Sequence, residues 1–167
     1  MRQSLFLGVL VCAALLAAGC TPSESPGVAS SDSGRVRLGA NASYAELSDY
    51  VVHVNAMVTA DLTPEIAANY GIRRSEEKGL VNLVVLRKTD APGMDAPVQA
   101  SIQVLARNLT EQTKDMALRE IVDGPSIYYI GEVPVENREI INFDFDIRPA
   151  DSDRALLVRF THEFYTR

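Results

Sequence analysis

Apolar and polar residues alternate one by one along much of this chain, the pattern of β-strands that bury one face. The longest example runs through residues 50–62, where every even-numbered position is apolar: Tyr50, Val52, Val54, Ala56, Val58, Ala60 and Leu62. A second example, residues 139–148, alternates Ile141, Phe143, Phe145 and Ile147 with polar residues. We therefore predict a fold made mostly of strands, most of which expose one face to solvent.

Seven such strands are predicted, and no helix of useful length separates them, so they should pair mostly antiparallel. They cover residues 49–62, 80–88, 98–107, 116–122, 127–135, 139–148 and 155–166. The pattern favours an all-β class with one short helix, arranged as an antiparallel seven-stranded β-sandwich of immunoglobulin or fibronectin type III style. A small barrel is the alternative. Residues 80–86 are apolar on both faces, which indicates a central strand or one covered by the helix.

The short helix is predicted at residues 64–70. Thr63 is a good N-cap, Pro64 suits the first helical turn, and Gly71 follows Tyr70 where a helix commonly ends.

The N-terminus has the features of a bacterial export signal. Arg2 precedes an unbroken apolar run from Leu5 to Ala18, about 21 Å long as a helix and shorter than the ~20 residues that span a bilayer. Small residues at 17–19 precede Cys20, as in a lipobox. We predict that residues 1–19 are a lipoprotein signal peptide and that Cys20 is lipidated; cleavage without lipidation is the alternative.

Residues 20–41 are predicted to be a flexible tether, because they are rich in Ser, Gly, Pro and Ala. The β-sandwich domain should then occupy residues 42–167. Thr21 follows the cysteine where an Asp would retain a lipoprotein at the inner membrane, which favours the outer membrane, with the domain facing the periplasm.

The net charge and the cysteine content exclude several classes of partner and of chemistry. The net charge is −6, so we expect no nucleic-acid binding and no electrostatic attraction to anionic lipid. Cys12 and Cys20 are the only cysteines, and the predicted domain therefore has no disulfide and no thiolate chemistry. Membrane attachment is expected through the lipid on Cys20.

Few side chains suggest chemistry. His53 and Asn55 lie about 6.6 Å apart on the polar face of the first strand, either as anchors for a ligand or protein or as ordinary surface. Asp144 and Asp146 share a strand face that is predicted to be solvated. His162 continues an apolar register and is predicted to be packed. The sequence indicates no catalytic, cofactor or metal site.

The charged residues after the helix are a further candidate. Arg73, Arg74 and Lys78 are offset by Glu76 and Glu77. They are interpreted either as a patch for an acidic partner or as a charged turn whose Arg74 bridges back to the fold.

The folded region resembles bacterial domain-of-unknown-function family 4426, whose members are small exported proteins. The residues that carry the resemblance are His53, Asn55, Ala56, Leu62, Pro64, Ala68, Tyr70-Gly71-Ile72, Arg74-Ser75, Gly79, Asn82 and the closing Phe160–Tyr165 segment. The segment Tyr-Gly-Ile-x-Arg-Ser at residues 70–75 is its most specific part. The resemblance implies no activity, but it directs attention to an interaction surface formed by His53, Asn55, Tyr70, Arg74 and Ser75.

Taken together, these patterns favour a membrane-anchored periplasmic lipoprotein that is not an enzyme and that binds another protein of the cell envelope. The alternative is a small-ligand carrier or a hydrolase acting on envelope molecules. A purely structural spacer in the envelope is a third possibility.

Overall fold

A computed structural model describes residues 30–32, 35–38, 42–91 and 93–167. The predicted signal peptide and Cys20 lie outside the described residues. The strands are β1 (Ser30–Asp32), β2 (Arg35–Arg37), β3 (Tyr44–Leu47), β4 (Tyr50–Val58), β5 (Lys78–Arg87), β6 (Ala96–Pro97), β7 (Ala100–Asn108), β8 (Thr113–Lys114), β9 (Arg119–Asp123), β10 (Ser126–Pro134), β11 (Glu139–Pro149) and β12 (Leu156–Phe164). A 3₁₀ turn, Thr59–Asp61, and one α-helix, α1 (Pro64–Asn69), follow β4.

The strands form two sheets, which we call sheet A and sheet B. Sheet A has the order β1-β2-β12-β11-β7-β8, and sheet B has the order β3-β4-β5-β10-β9, with β6 paired to β5. The pairings are antiparallel except that of β2 with β12, which is parallel. The described part of the chain contains no helix long and apolar enough to cross a bilayer.

The two sheets enclose one hydrophobic core. It takes the even-numbered side chains of β4 and the odd-numbered side chains of β5 and β11, and the alternation in β4 and β11 predicts their part in it. Phe143 is central: its ring centroid lies 6.1 Å from that of Phe160 and 6.4 Å from that of Phe164, within the range of favourable aromatic pairs. Phe164 in turn lies against Gly79, where an added Cβ would come within 2.5 Å of the Phe164 ring.

All seven predicted strands are present, and the mostly β, antiparallel class is confirmed. Five further strands were not predicted: β1, β2, β3, β6 and β8, which have two to four residues each and are too short to show alternation. The first predicted strand ends at Val58 rather than Leu62, because the chain turns into the 3₁₀ segment. Strands β1 and β2 lie within residues 20–41, so sheet pairing extends beyond the predicted domain boundary at residue 42.

The local signals around α1 are also confirmed. The Thr63 hydroxyl accepts a hydrogen bond from the backbone N–H of Ile66, and Pro64 is the first helical residue. Gly71 has φ +62°, the left-handed conformation that glycine adopts at no steric cost after a helix. Strand β5 is central in sheet B, and α1 lies over its outer face.

The prediction of a solvated face at Asp144 is wrong. Its side chain is only 7% exposed and lies on the outer face of sheet A, where Arg159 binds both carboxylate oxygens at 2.7 and 2.8 Å. Arg107 donates at 3.2 Å, and Arg35 completes the cluster with an ion pair. This Asp144 cluster joins β11 to β12, β7 and β2; alternation could not reveal it, because the arginines come from distant strands.

The cluster also sets the protonation state of its carboxylate. Burial raises the pKa of Asp144, but hydrogen bonds and charge from Arg159 and Arg35 outweigh burial and lower the pKa to about 2.

His162 is packed as predicted, with its ring centroid 4.6 Å from that of Phe164, and burial lowers the pKa of His162.

We predict that Asp144→Asn lowers the free energy of unfolding by about 2–3 kcal/mol, because three arginines lose their shared counter-charge. The folded-state pKa lies below the unfolded value. The stabilisation by Asp144 is therefore complete above about pH 4 and is lost as the pH falls towards about 2. Urea unfolding at several pH values measures both effects.

Asp146→Asn is the matched control, since Asp146 is 33% exposed and pairs only with Arg148 among the ion pairs of the described residues. Its effect should stay within about 0.5 kcal/mol. Equal stability of the Asp144 and Asp146 variants at neutral pH would contradict the role given to the cluster.

Candidate functional site

A groove opens between α1 and the outer face of sheet B, and we call it the α1 groove. Its volume is about 250 Å³. It is lined by Asn55, Met57, Leu62, Ile66, Tyr70, Ile72, Leu80, Asn82, Ile121, Tyr128 and Ile130. None of these side chains is charged, and most are aliphatic or aromatic.

The groove exists because sheet B has apolar residues on both faces. On β5, Val81, Leu83 and Val85 point into the core shared with sheet A. The opposite face carries Leu80, which joins Ile130 of β10 and residues around α1 in a second hydrophobic cluster. A helix of six residues, fewer than two turns, is too short to cover a six-stranded sheet, so part of the apolar face remains open beside it.

Two asparagines place amide groups on the sheet side of the groove. Asn55 on β4 and Asn82 on β5 are direct cross-strand partners. Asn55 is exposed at the mouth, whereas Asn82 is partly buried and its Oδ1 atom has no hydrogen-bond partner among the described residues. A buried carbonyl oxygen without a donor costs about 1–3 kcal/mol. Asn82 Oδ1 is thus a buried acceptor without a donor, covered by the atoms around it rather than open to the groove.

The segment after α1 is held by a buried hydroxyl. Thr59, which is fully buried, has its Oγ1 3.0 Å from the carbonyl oxygen of Ser75 and 3.1 Å from that of Arg73. The same oxygen accepts a hydrogen bond from Ser75 N–H at 2.9 Å. Arg74 donates through Nε and Nη2 to the carbonyl oxygen of Ala60, at 3.2 and 2.6 Å. These bonds position Ile72, which is buried under α1.

A second attachment of the segment comes from β9, the strand at one edge of sheet B. Arg119 of β9 donates from Nη2 to the carbonyl oxygen of Tyr70, the residue that ends α1. Because α1 has only six residues, it depends on such tertiary contacts rather than on its own propensity. The two attachments hold Tyr70 and Ile72 in place along the groove.

The structure brings some of the predicted surface residues together and separates others. Asn55 and Tyr70 line the α1 groove. His53 is exposed on the same face of β4, with its ring centroid 5.7 Å from that of Tyr44, but does not line the groove. Arg74 and Ser75 support the wall through backbone contacts, so the interpretation of Arg74 as a bridge to the fold is confirmed.

Several groove residues were missed at the sequence level, above all Asn82 as a site residue, Tyr128 and Ile121. They come from β5, β10 and β9, and only the sheet order brings them beside α1. One signal was available, since the apolar residues on both faces of β5 indicated that something covers it. Among the described residues there is no group of three or more His, Cys, Asp or Glu side chains that could hold a metal ion.

Comparison of the chain with models of known protein families shows which family it belongs to. The model of the family described as "Domain of unknown function (DUF4426)" matches residues 44–167. The chain belongs to the DUF4426 family. The resemblance seen in the sequence is thereby confirmed, and its most specific segment, residues 70–75, is the one that forms and anchors a wall of the α1 groove. A comparison with curated proteins finds no match.

A solved DUF4426 structure has the same fold. The crystal structure of a DUF4426 family protein from Pseudomonas aeruginosa PAO1 is 24% identical, with a TM-score of 0.62, over 74% of this chain and 94% of that one. A family 123 glycoside hydrolase from Clostridium perfringens is 6% identical over 70% of this chain and 28% of that one. Its TM-score of 0.35 is too low to support any inference.

We predict that Thr59→Val, which keeps the side-chain shape, lowers the free energy of unfolding by about 1–3 kcal/mol because buried backbone groups lose their partner. Amide hydrogen exchange should accelerate first in residues 70–77. Thr113→Val, at an exposed position in β8, is the control and should leave both measurements nearly unchanged. Unchanged exchange in residues 70–77 of the Thr59 variant would contradict the role given to the Thr59 hydroxyl.

Proposed function

We propose that this DUF4426 protein is a membrane-anchored periplasmic lipoprotein whose β domain is a non-enzymatic binding module for another protein of the cell envelope. The α1 groove is its binding surface. The observation that carries this proposal is the uncharged, mainly apolar lining beside a short, well-anchored helix. Surfaces of this kind on folded domains commonly accept apolar anchor residues of a partner.

The dimensions of the groove favour a protein partner over a carried ligand. Small-molecule sites usually enclose about 300–1,000 Å³ and bury most of their ligand. The α1 groove has about 250 Å³ and leaves Ile66 43% exposed and Asn55 exposed at its edge. An open groove of this size suits a side chain presented by a larger surface, which excludes water around it.

We also infer that the domain is a seven-stranded immunoglobulin-type sandwich with added short strands. The order of the seven long strands supports this. Counted along the chain, the first, second, fifth and fourth are neighbours in sheet B, and the seventh, sixth and third are neighbours in sheet A. Constant-type immunoglobulin domains have the same order.

The place where the chain enters the domain supports a tethered arrangement. Strands β1 and β2 form one edge of sheet A, whereas the α1 groove lies on the outer face of sheet B. A tether leading from Cys20 to β1 would therefore reach the domain on the sheet opposite the groove. With Thr21 after the cysteine, the outer membrane is the favoured anchoring site.

Site-specific photocrosslinking in intact cells tests the binding surface. A photoreactive residue at Ile66 should form an adduct with one envelope protein. The same residue at Leu105, on the outer face of sheet A, should not. The two positions are equally exposed, at 43% each, so accessibility alone would give equal labelling.

A second variant shows whether the adduct depends on the groove. Asn55→Arg places a long cation at the mouth, at an exposed position where the fold should tolerate it, and should abolish the Ile66 adduct. Equal adducts from Ile66 and Leu105, or an Ile66 adduct that Asn55→Arg leaves unchanged, would contradict the proposal.

The anchor is tested by fractionation. Cys20→Ser should move the protein from the membrane fraction to the soluble periplasmic fraction, because the acidic domain has no attraction for anionic lipid. Cys12→Ser, within the apolar run, should leave the protein with the membranes. A Cys20 variant that stays with the membranes would count against lipid anchoring.

A further inference from the structure

Strand β9 lies at one edge of sheet B. It is the last strand in the order of that sheet, and its only ladder within the described residues is the antiparallel one with β10. Four of its five residues are exposed, including Val122 at 62%. A strand edge that is exposed and carries apolar side chains is a template for pairing with another chain.

The turn after β9 determines which of its backbone groups point away from β10. Only residues 124–125 separate the two strands, and Asp123 lies opposite Ser126. The residues that flank a two-residue turn exchange hydrogen bonds, and the pattern then alternates along the strands. The N–H and C=O groups of Glu120 and Val122 therefore point towards the free edge. Neither residue takes part in the loop and turn backbone hydrogen bonds of the described residues.

The sequence of β9 is complementary to itself in the antiparallel direction. Its residues are Arg119, Glu120, Ile121, Val122 and Asp123. When Ile121 lies opposite Ile121 of a second copy, Arg119 lies opposite Asp123 at both ends of the strand pair. Glu120 then lies opposite Val122, so the backbone groups at the two free edges meet as hydrogen-bonded pairs. Each charged side chain at the ends of the pair faces its opposite charge.

Other arrangements of the two strands lose this complementarity. A parallel pair in register would place every charge opposite its own copy. An antiparallel pair shifted to bring Glu120 opposite Glu120 would place like charges at its centre, and like charges directly opposite each other destabilise a strand pair. A shift by one residue would bring side chains of opposite faces together. The charges of β9 thus select one register.

We propose that a second copy of this chain pairs with the free edge of β9, antiparallel and in register about Ile121, so that the two B sheets form one continuous sheet. Both copies use the same surface, so the contact closes as a two-fold symmetric dimer. The inference does not rest on the proposed envelope partner, because every group it uses belongs to this chain.

The proposed dimer has consequences for the outer face of sheet B. Arg119 and Asp123 lie on that face, since Ile121 between them lines the α1 groove. Arg119 already donates to the carbonyl oxygen of Tyr70, and its guanidinium, with five N–H donors, can bind Asp123 of the second copy as well. The two-fold axis is perpendicular to the joined sheet, so both α1 grooves open on the same side.

Single engineered cysteines test both the contact and its register. The chain has cysteines only at 12 and 20, both outside the described residues. In the proposed dimer the Cα atoms of the two Ile121 residues are about 4.5 Å apart, which a disulfide can bridge. The two Val122 residues are diagonal neighbours, with Cα atoms about 7–8 Å apart, which is too far for a disulfide without movement of the backbone.

In intact cells treated with a mild thiol oxidant, Ile121→Cys should give about fivefold more disulfide-linked dimer on a non-reducing gel than Val122→Cys, because only its sulfur atoms can meet. The unsubstituted chain measures the background from residues 12 and 20. Val122 is exposed and Ile121 only partly so, and random collision would therefore favour Val122→Cys. An equal or greater yield from Val122→Cys would overturn the inference.

Charge reversal tests the ion pairs in the Ile121→Cys chain. Asp123→Arg places an arginine opposite Arg119 of the second copy and should lower the dimer yield to that of Val122→Cys. Adding Arg119→Asp restores opposite charges in exchanged order and should recover the dimer. A yield that Asp123→Arg leaves unchanged would contradict the pairing.

A second measurement leaves Ile121 intact and decides the question even if Ile121→Cys fails to fold. The detergent-solubilised full chain should sediment as a dimer, and the same chain carrying Asp123→Arg should sediment as a monomer. A monomeric unsubstituted chain would overturn the inference.

Discussion

Strand β5 must bury both of its faces, and the rest of the domain is arranged around that requirement. One face, which includes Leu83, completes the core that sheet B shares with sheet A. The other, which includes Leu80, needs a separate cover, and α1 supplies it. Because the helix has only six residues and the sheet has six strands, the cover is incomplete. The α1 groove is the part of this second face that remains open, so the candidate site follows from the packing problem itself.

The fold could be predicted to a large extent because its signals are local. Alternation, or a continuous apolar run in the case of β5, located the seven long strands, and Thr63, Pro64 and Gly71 marked the ends of α1. Strands such as β6, with two residues, contain no period to detect and exist only because a neighbour offers hydrogen bonds. The parallel pairing of β2 with β12 is likewise a product of tertiary structure, since nothing near Arg35–Arg37 indicates its partner.

The site was harder to predict because tertiary structure, rather than a local signal, brings its residues together. Asn55 could be selected from its place on the polar face of a strand and Tyr70 from the family resemblance, but Asn82 becomes notable only when the sheet places it under α1. Arg74 was selected both as part of an interaction surface and as a bridge back to the fold, and the structure shows the bridge, through the carbonyl oxygen of Ala60. Asp144 shows most clearly what alternation cannot predict. The position of a residue along a strand determines which face of the sheet it lies on, but not which side chains cover that face.

The parallel strand β2 gives the domain a mechanical property. Only two register pairs join β2 to β12, and the ion pair between Arg35 and Asp144 reinforces them across the sheet. A pull on the N-terminal end of the chain would reach this edge before any strand of sheet B. Strands β1 and β2 could then peel away as a short extension while the groove stayed intact. In the proposed tethered arrangement, the edge of sheet A would act as a strain-relief element between the proposed lipid anchor and the proposed partner.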